Sequence, residues 1–274
     1  MKYDLHCHTK EGSPDGSIKI FDFAAKLKSL GYSGMLVTDH DTYGGYRMWT
    51  RLKAQGKTID DFYVLKGIEY DTRDGGHVIV VLPDDAKCPL LERRGLKLEH
   101  LARIVHIYGG IIGAAHPYGN GYFAITNTNL YKKNKNIIRL FDFIEGNNAG
   151  VTEEANWRAK RLAKRYNKPT TSGSDAHRAK QIGTAYTQFD NLITCNNDLI
   201  KAIKGQGEAK IISHFSTDRI VFMNPVIIQL GIIGYWIYNK FKVLTNTFAR
   251  RRLIKDLKEN HFTKGASLTC PGCP

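Results

Sequence analysis

Six histidines and three carboxylates of this 274-residue chain fall in short motifs spread over its first 180 positions. In order they are D-L-H-C-H-T (His6, His8), S-P-D-G (Asp15), T-D-H-D (His40), G-I-E-Y (Glu69), G-G-H-V-I-V-V (His77), A-A-H-P-Y (His116) and G-S-D-A-H (Asp175, His177). The chain has ten histidines, so more than half are committed to these motifs. Imidazole and carboxylate together suit divalent zinc, manganese or iron. Nine candidate ligands are too many for one ion and match two or three. Ions grouped in that way lower the pKa of a bound water, so the pattern points to a multinuclear hydrolytic centre.

The spacing carries geometry as well. Residues of a strand alternate sides, so His6 and His8 share a face with α-carbons about 6–7 Å apart and can grip one ion. Asp175-x-His177 repeats the spacing late in the chain. The sequence offers no G-x-S-x-G nucleophile elbow and no Walker A lysine, so no protein nucleophile is indicated.

The elements that must position these side chains are legible from periodicity. Strands are expected over Tyr3–Leu5, Gly34–Thr38, Phe62–Leu65 (leading to Glu69), His77–Leu82, Ile111–Ala115, Phe141–Glu145 and Pro169–Ser172. Amphipathic helices are expected over Ile18–Leu30, Leu96–Tyr108 and Thr152–Tyr166. Gly31 follows the first as a C′ residue. This alternation predicts a parallel α/β fold, and seven strands suit a closed barrel, whose chemistry sits at the carboxyl ends of its strands. Every candidate ligand motif lies at or just past a strand end, except that His77 opens its strand. Residues 119–139 form a long aromatic and lysine-rich connection with Tyr122, Phe123, Lys132, Lys133 and Lys135. Residues 191–218 read as a closing helix and connector.

The motif series resembles the polymerase and histidinol phosphatase (PHP) family of metal-dependent phosphoesterases over roughly residues 1–190. Within it, the chain is most similar to short, stand-alone members that include nucleotide phosphatases and 5′-end exoribonucleases. The resemblance implies a distorted seven-stranded (βα) barrel. It also implies two or three divalent ions (Mn, Zn or Fe) in three positions. One would be held by His6, His8, Glu69 and Asp175. A second would share Glu69 and take His77 and His116. A third would take Asp15, His40 and His177. Glu69, Asp175, His177 and the adjacent Arg178 are then expected to carry catalysis. The substrate would be a phosphorylated small molecule, a nucleotide or an RNA 5′ end. A catalytically silent barrel serving as a recruitment module, and a metal-dependent amidohydrolase, are the competing readings.

Other residues take supporting or ordinary roles. Asp39 and Asp41, flanking His40, are the expected partners of ligand imidazoles, and Glu145 is expected to face the site. Asp4 and Cys7 read as structural, and His100, His106, His214 and His261 lie away from the motifs. Net charge is +14, which favours anionic partners. From Arg219 the composition changes to an apolar helix and basic tail, residues 219–274, expected as a PHP-associated C-terminal module. A helix should begin at Pro225 behind an Asn224 cap. Residues 220–238 could span a membrane, lie in its interface or pack on the barrel, and residues 220–264 together could bind an anionic membrane surface. Cys270 and Cys273 form a lone C-x2-C without a second pair. The N-terminus has no apolar h-region, so no cleaved signal is expected. A cytoplasmic setting, possible at the membrane's inner face, follows.

Overall fold

Six of the seven expected strands carry apolar residues into the core, Pro169–Ser172 being the polar exception, and their alternation between the interior and the covering helices builds the barrel. The computed structural model describes residues 1–205, 212–215 and 225–257. Its strands are β1 (Lys2–Cys7), β2 (Gly34–Val37), β3 (Tyr63–Asp71), β4 (His77–Val81), β5 (Ile111–Ala114), β6 (Phe143–Asn148), β7 (Thr170–Gly173), β8 (Ala185–Gln188) and β9 (Ile212–Phe215). The described helices are α1 (Ile20–Ser29), α2 (Gly44–Ala54), α3 (Leu98–Ile107), α4 (Asn129–Lys133), α5 (Glu153–Arg165), α6 (Asn196–Ile203), α7 (Pro225–Thr245) and α8 (Thr247–Leu257). All seven expected strands are present. They join with β8 and β9 in one sheet of order β7-β6-β5-β4-β3-β2-β1-β8-β9.

One apolar cluster fills the barrel: Tyr3 and Leu5 of β1, Leu36 of β2, Leu65 of β3, Ile79 and Val81 of β4, Ile111 of β5 and Phe143 of β6. Leu199, Ile200 and Ile203 of α6 close its floor. Alternate residues of the same strands point outward. Met35 and Val37 pack with Phe23 and Leu27 of α1, while Val80 and Ile112 pack with Leu101 and Val105 of α3. Each fully buried side chain of this size contributes about 1.5–3 kcal/mol. The apolar floor therefore holds the barrel together at one end and leaves the other for polar groups.

The sheet curls until β7 returns to β1. The Asp175 amide donates to the His6 carbonyl at 2.8 Å, the His8 amide to the Ala176 carbonyl at 3.2 Å, and the Ser174 amide to Asp4 Oδ1 at 2.9 Å. Lower down, the Ser172 amide donates to Thr187 Oγ1 of β8 at 2.7 Å. Gly173 is required at this seam, because a Cβ there would lie 2.3 Å from the His6 Cβ.

Three differences from the sequence-based picture have local causes. The sheet is mixed: β4 runs antiparallel to β3 and β5, and β8 antiparallel to β1. A two-strand hairpin needs only the short turn at residues 72–76, whereas a parallel crossover needs a dozen or more. Helix α2 escaped notice because its first turn, G-G-Y-R, is a poor helix start. Residues 119–139 are a wall of short turns and α4 rather than an open loop. They are anchored by Ile125, Ile137 and Ile138 in the α3 core.

Helix α7 starts at Pro225 and runs past Tyr238, as expected. No helix among the described residues is long and apolar enough to cross a membrane. One side of α7 and α8 packs on the barrel through buried Asn239 and half-buried Val243, Arg250, Leu253 and Ile254. Leu230, Ile233, Ile237, Phe241, Leu244 and Phe248 remain exposed. The Asn224 cap, His261, the end of the basic tail and the C-x2-C lie outside the described residues.

Candidate metal centre

Two β-bulges aim the site. In β1, Tyr3 and Leu5 face the barrel interior, so strict alternation would send Cys7 inward and both histidines outward. A register shift between Asp4 and Cys7 reverses the parity. His6 and His8 then face the axis, and Cys7 packs outward among Phe23 and Val37. A second shift between Glu145 and Asn147 in β6 brings Glu145 and Asn148 to one place, where the Asn148 amide donates to Glu145 Oε2 at 3.0 Å. His77 reaches the same end because β4 runs antiparallel. Its first residue pairs with Asp71, the last of β3. The apparent exception in the sequence is thus a consequence of strand direction.

The nine expected ligands converge. His6 Nε2 and His8 Nε2 stand 3.1 Å apart. His6 Nε2 lies 3.4 Å from Glu69 Oε2 and 3.5 Å from Asp175 Oδ1, and His8 Nε2 lies 3.3 Å from each. Ligands about 2.0–2.1 Å from a tetrahedral ion are separated by about 3.3–3.4 Å. The five separations above span 3.1–3.5 Å and bracket that figure, so the donor set fits a divalent ion. His116 Nε2 and His77 Nδ1 approach the other carboxylate oxygen of Glu69, Oε1, at 3.0 and 3.1 Å. Asp15 Oδ2 meets His177 Nε2 at 3.2 Å and His40 Nε2 at 3.6 Å. His40 Nδ1 also reaches Glu69 Oε2 at 3.2 Å, which ties the third group to the first two.

The electrostatics follow from burying so many titratable groups together. Burial alone would lower the His6 pKa, but Glu145, Asp175 and Glu69 hold it well above the usual histidine value. The same opposition raises His8 to about 9 and His77 to about 10. Burial would raise Glu69 and Asp175. The surrounding imidazoles, led by His77 and His6 respectively, hold both well below the carboxylate range. His40 differs: burial dominates and lowers it to about 4. The carboxylates are thus kept charged, the form that binds metal.

A supporting layer fixes the rings. Glu145 Oε1 meets His6 Nδ1 at 2.9 Å, leaving Nε2 for the cluster, and Glu145 Oε2 accepts the His116 amide at 2.7 Å. Ser13 Oγ meets His8 Nδ1 at 3.0 Å and itself donates to Asp39 Oδ1 at 3.1 Å. Asp39 therefore acts on His8 through Ser13 rather than on its neighbour His40. Asp41 touches no imidazole: it pairs with Arg94 and accepts the Asp71 amide. Asp71, which sequence inspection passed over, is the carboxylate 3.6 Å from His77 Nε2. Its signal was present, since Glu69-x-Asp71 has the same two-residue strand period as His6-x-His8. His116 (φ 26°) and Asp175 (φ 52°) occupy the left-handed region that non-glycine residues avoid. Strain of this kind persists only where surrounding contacts over-determine it.

Asp15, His40, Glu69, His77, His116, Asp175 and His177 line a cavity of about 230 Å³, together with Asn120, Phe123 and Val151, while His6 and His8 are outside its lining. The Phe123 ring lies 4.8 Å from that of His77. No lysine is among the lining residues of this cavity. Arg178 is exposed and outside the lining, and its amide bonds Gln181. Lys132, Lys133 and Lys135 are likewise exposed and outside it. Cys88 and Arg94 stand at the C-x5-R spacing of thiol phosphatases, but Cys88 is buried in the α3 core with its thiol pKa raised, and Arg94 is bound by Asp41 and Asp71. His106 pairs with Asp142, away from the site.

Comparison with known proteins gives the family and the fold. The family profile of the PHP domain matches residues 4–174, and one described as PHP-associated matches residues 153–206. The chain belongs to the PHP domain family, the metal-dependent phosphoesterases that its motifs resemble. The PHP-associated match falls on α5, β7, β8 and α6, not on residues 219–274. DNA polymerase III subunit alpha of Aquifex aeolicus is 27% identical over 215 residues, covering 63% of this chain and 18% of that protein. The chain thus spans about a fifth of the length of this curated relative. PsfC from Pseudomonas syringae shares the fold at a TM-score of 0.58 and 17% identity, over 92% of this chain and 98% of that one. The lesion-specific endonuclease EndoQ from Pyrococcus furiosus superposes at 0.53 and 21% identity, over 77% and 58%.

Proposed function

We propose that this chain hydrolyses a phosphoester at the end of a nucleic-acid strand or on a nucleotide. Two or three divalent ions (Mn, Zn or Fe) would be held by His6, His8, Glu69 and Asp175, by Glu69 with His77 and His116, and by Asp15, His40 and His177. The observation that carries this reading is the set of five near-equal separations among four donor atoms. When bound, such ions generate hydroxide near neutral pH and offset charge on the phosphoryl oxygens. The chain's own residues hold the donors and exclude water. Glu145 and Ser13 orient His6 and His8, and Phe123 walls one side. Asp15 and His177 form the exposed rim, where a leaving group would depart.

The cavity supports a terminal phosphoester rather than a large ligand. At about 230 Å³ it lies below the roughly 300–1,000 Å³ of sites that enclose a drug-sized molecule. A phosphate and its sugar fit, and the remainder of a longer substrate would lie outside. Two of the similar proteins are named for work on DNA, a polymerase subunit and a lesion-specific endonuclease.

The test is turnover by the full chain loaded with manganese or zinc. Phosphate release from mononucleotides, and nucleotide release from 5′-phosphorylated RNA and DNA oligomers, should be found and should vanish in Glu69→Gln. A protein that binds two or three ions yet cuts none of these would overturn the reading and favour a silent barrel or another hydrolytic substrate.

A further inference from the structure

Outside the metal cavity, the most unusual surface of the barrel is the outward face of α5. Its inward face buries Ala155, Asn156, Ala159, Leu162 and Ala163. The exposed side turns Trp157, Arg158, Arg161 and Arg165 to solvent at the i, i+3, i+4 spacing of one helical face. Together with Tyr118 and Tyr131 they line a groove of about 800 Å³. The Arg158 guanidinium lies 4.3 Å from the Tyr118 ring centre and that of Arg161 4.6 Å from the Trp157 ring. Trp157 stays 55% exposed even so. Glu154 is the one acid in the lining, against four basic side chains.

This groove is fixed to the metal centre. Tyr118 stands two residues after His116, and α5 begins two residues after Val151 of the cavity wall. Asn156 locks both backbone groups of Asn148 at 2.9 Å, and the Asn148 side chain reaches Asp175 Oδ2 at 3.2 Å. The rings and guanidinium groups of the groove are thus tied to the candidate ligands by short backbone spans and by the Asn156–Asn148–Asp175 hydrogen bonds.

We propose that the α5 groove binds the body of a single-stranded nucleic acid whose terminal phosphoester occupies the metal cavity. Arg158, Arg161 and Arg165 meet backbone phosphates, and Trp157, Tyr118 and Tyr131 offer ring faces to unstacked bases. Interleaved basic and aromatic side chains suit single strands, because every base presents a face for stacking. A paired duplex keeps those faces to itself, and an acidic peptide has none. The proposal rests on the reading of the cavity as a phosphoesterase site and deepens its substrate to a strand rather than a free nucleotide.

The test uses metal-loaded full chain, fluorescence anisotropy with 12-residue single-stranded RNA and DNA, and steady-state cleavage of the 12-mers and of a mononucleotide. Wild type, Trp157→Ala and the double variant Arg158→Gln, Arg161→Gln are compared, with Tm confirming folding; Trp157 is exposed, so its variant serves if the double one fails to fold. We expect each variant to weaken 12-mer binding about tenfold, in line with 1–3 kcal/mol for a lost base stack. The double variant should also flatten the plot of log Kd against log salt by about 1.4, from two lost phosphate contacts. kcat/KM should fall at least tenfold more on the 12-mer than on the mononucleotide. RNA and DNA of equal affinity mark stacking and phosphate contact, and a preference for one names the strand; either supports the groove. Variants that bind the 12-mers within twofold of wild type overturn it, as does equal competition by polyglutamate or by duplex. These binding results stand apart from catalysis. Groove-dependent binding without any turnover would sink the phosphoesterase reading alone, and turnover with intact binding in the variants would sink the groove alone.

Discussion

The candidate metal centre has an inner and an outer part, and they are built differently. His6 and Glu69 stand on strands and His8 just past the end of β1, and all three are at most 1% exposed. Asp15 is 44% exposed at its side chain and His177 25%, and both ride on loops. The inner donors are oriented by Glu145, Ser13 and Asp39 through buried hydrogen bonds. The outer pair has less support: His177 Nδ1 meets only its own segment, the Asp175 carbonyl at 2.9 Å. The inner part therefore has its geometry set in advance, and the outer part can adapt to what arrives.

The largest break in that contrast should come from Glu69→Gln. Glu69 contacts five imidazoles, so its loss should remove both inner ions together and lower turnover on the order of 10³-fold. Elemental analysis of the purified variant measures the first effect, and retention of the inner metals would contradict it. Asp15→Asn should lose one ion of the set and about 10²-fold in activity, with the inner ions kept. A variant emptied of all its metal would show that the two parts are one cooperative unit. A smaller change is expected for Glu145→Gln, which leaves every ligand in place but loosens the His6 ring. Inner-metal affinity should fall about 10–100-fold, read by competition with a chelating dye, while the ion at Asp15 is unaffected.

Smallest of all, Gly173→Ala should act on the seam rather than on the chemistry. The new Cβ must displace His6 from a distance of 2.3 Å. Overpacking of this kind costs about 1–3 kcal/mol, seen as several degrees in Tm. Metal saturation should recover part of the loss, because bound ions favour the folded barrel. A Tm equal to wild type would mean that the seam yields freely and that closure does not hold His6.

Much of the site was legible because strand ends and two-residue spacing are local. His6-x-His8 predicted a shared face, and it holds, although only the bulge in β1 makes that face the inner one. Six of the seven strands were legible for the same reason, as apolar runs, and Pro169–Ser172 was marked by the Lys168-Pro169 helix stop before it. The weak strand Ala185–Gln188 was missed because A-Y-T-Q carries no apolar alternation strong enough to mark it. Asp41 and Asp71 show that adjacency in sequence is not adjacency in space. Beside His40, Asp41 turns away to Arg94 with a left-handed backbone, while Asp71 meets a ring six residues on, across a hairpin.

By itself, the sequence determined the kinds of ligand, their order along the chain and the barrel that would carry them. Each of these depends on backbone periods that repeat within a few residues. The tertiary structure alone decided which ring nitrogen faces the cluster, which carboxylate supports which imidazole, and that β4 runs backwards to deliver His77. Those choices are made by contacts such as His6 with Glu145, 139 positions apart. No local period can specify them, because they exist only once the sheet has curled and β7 has met β1.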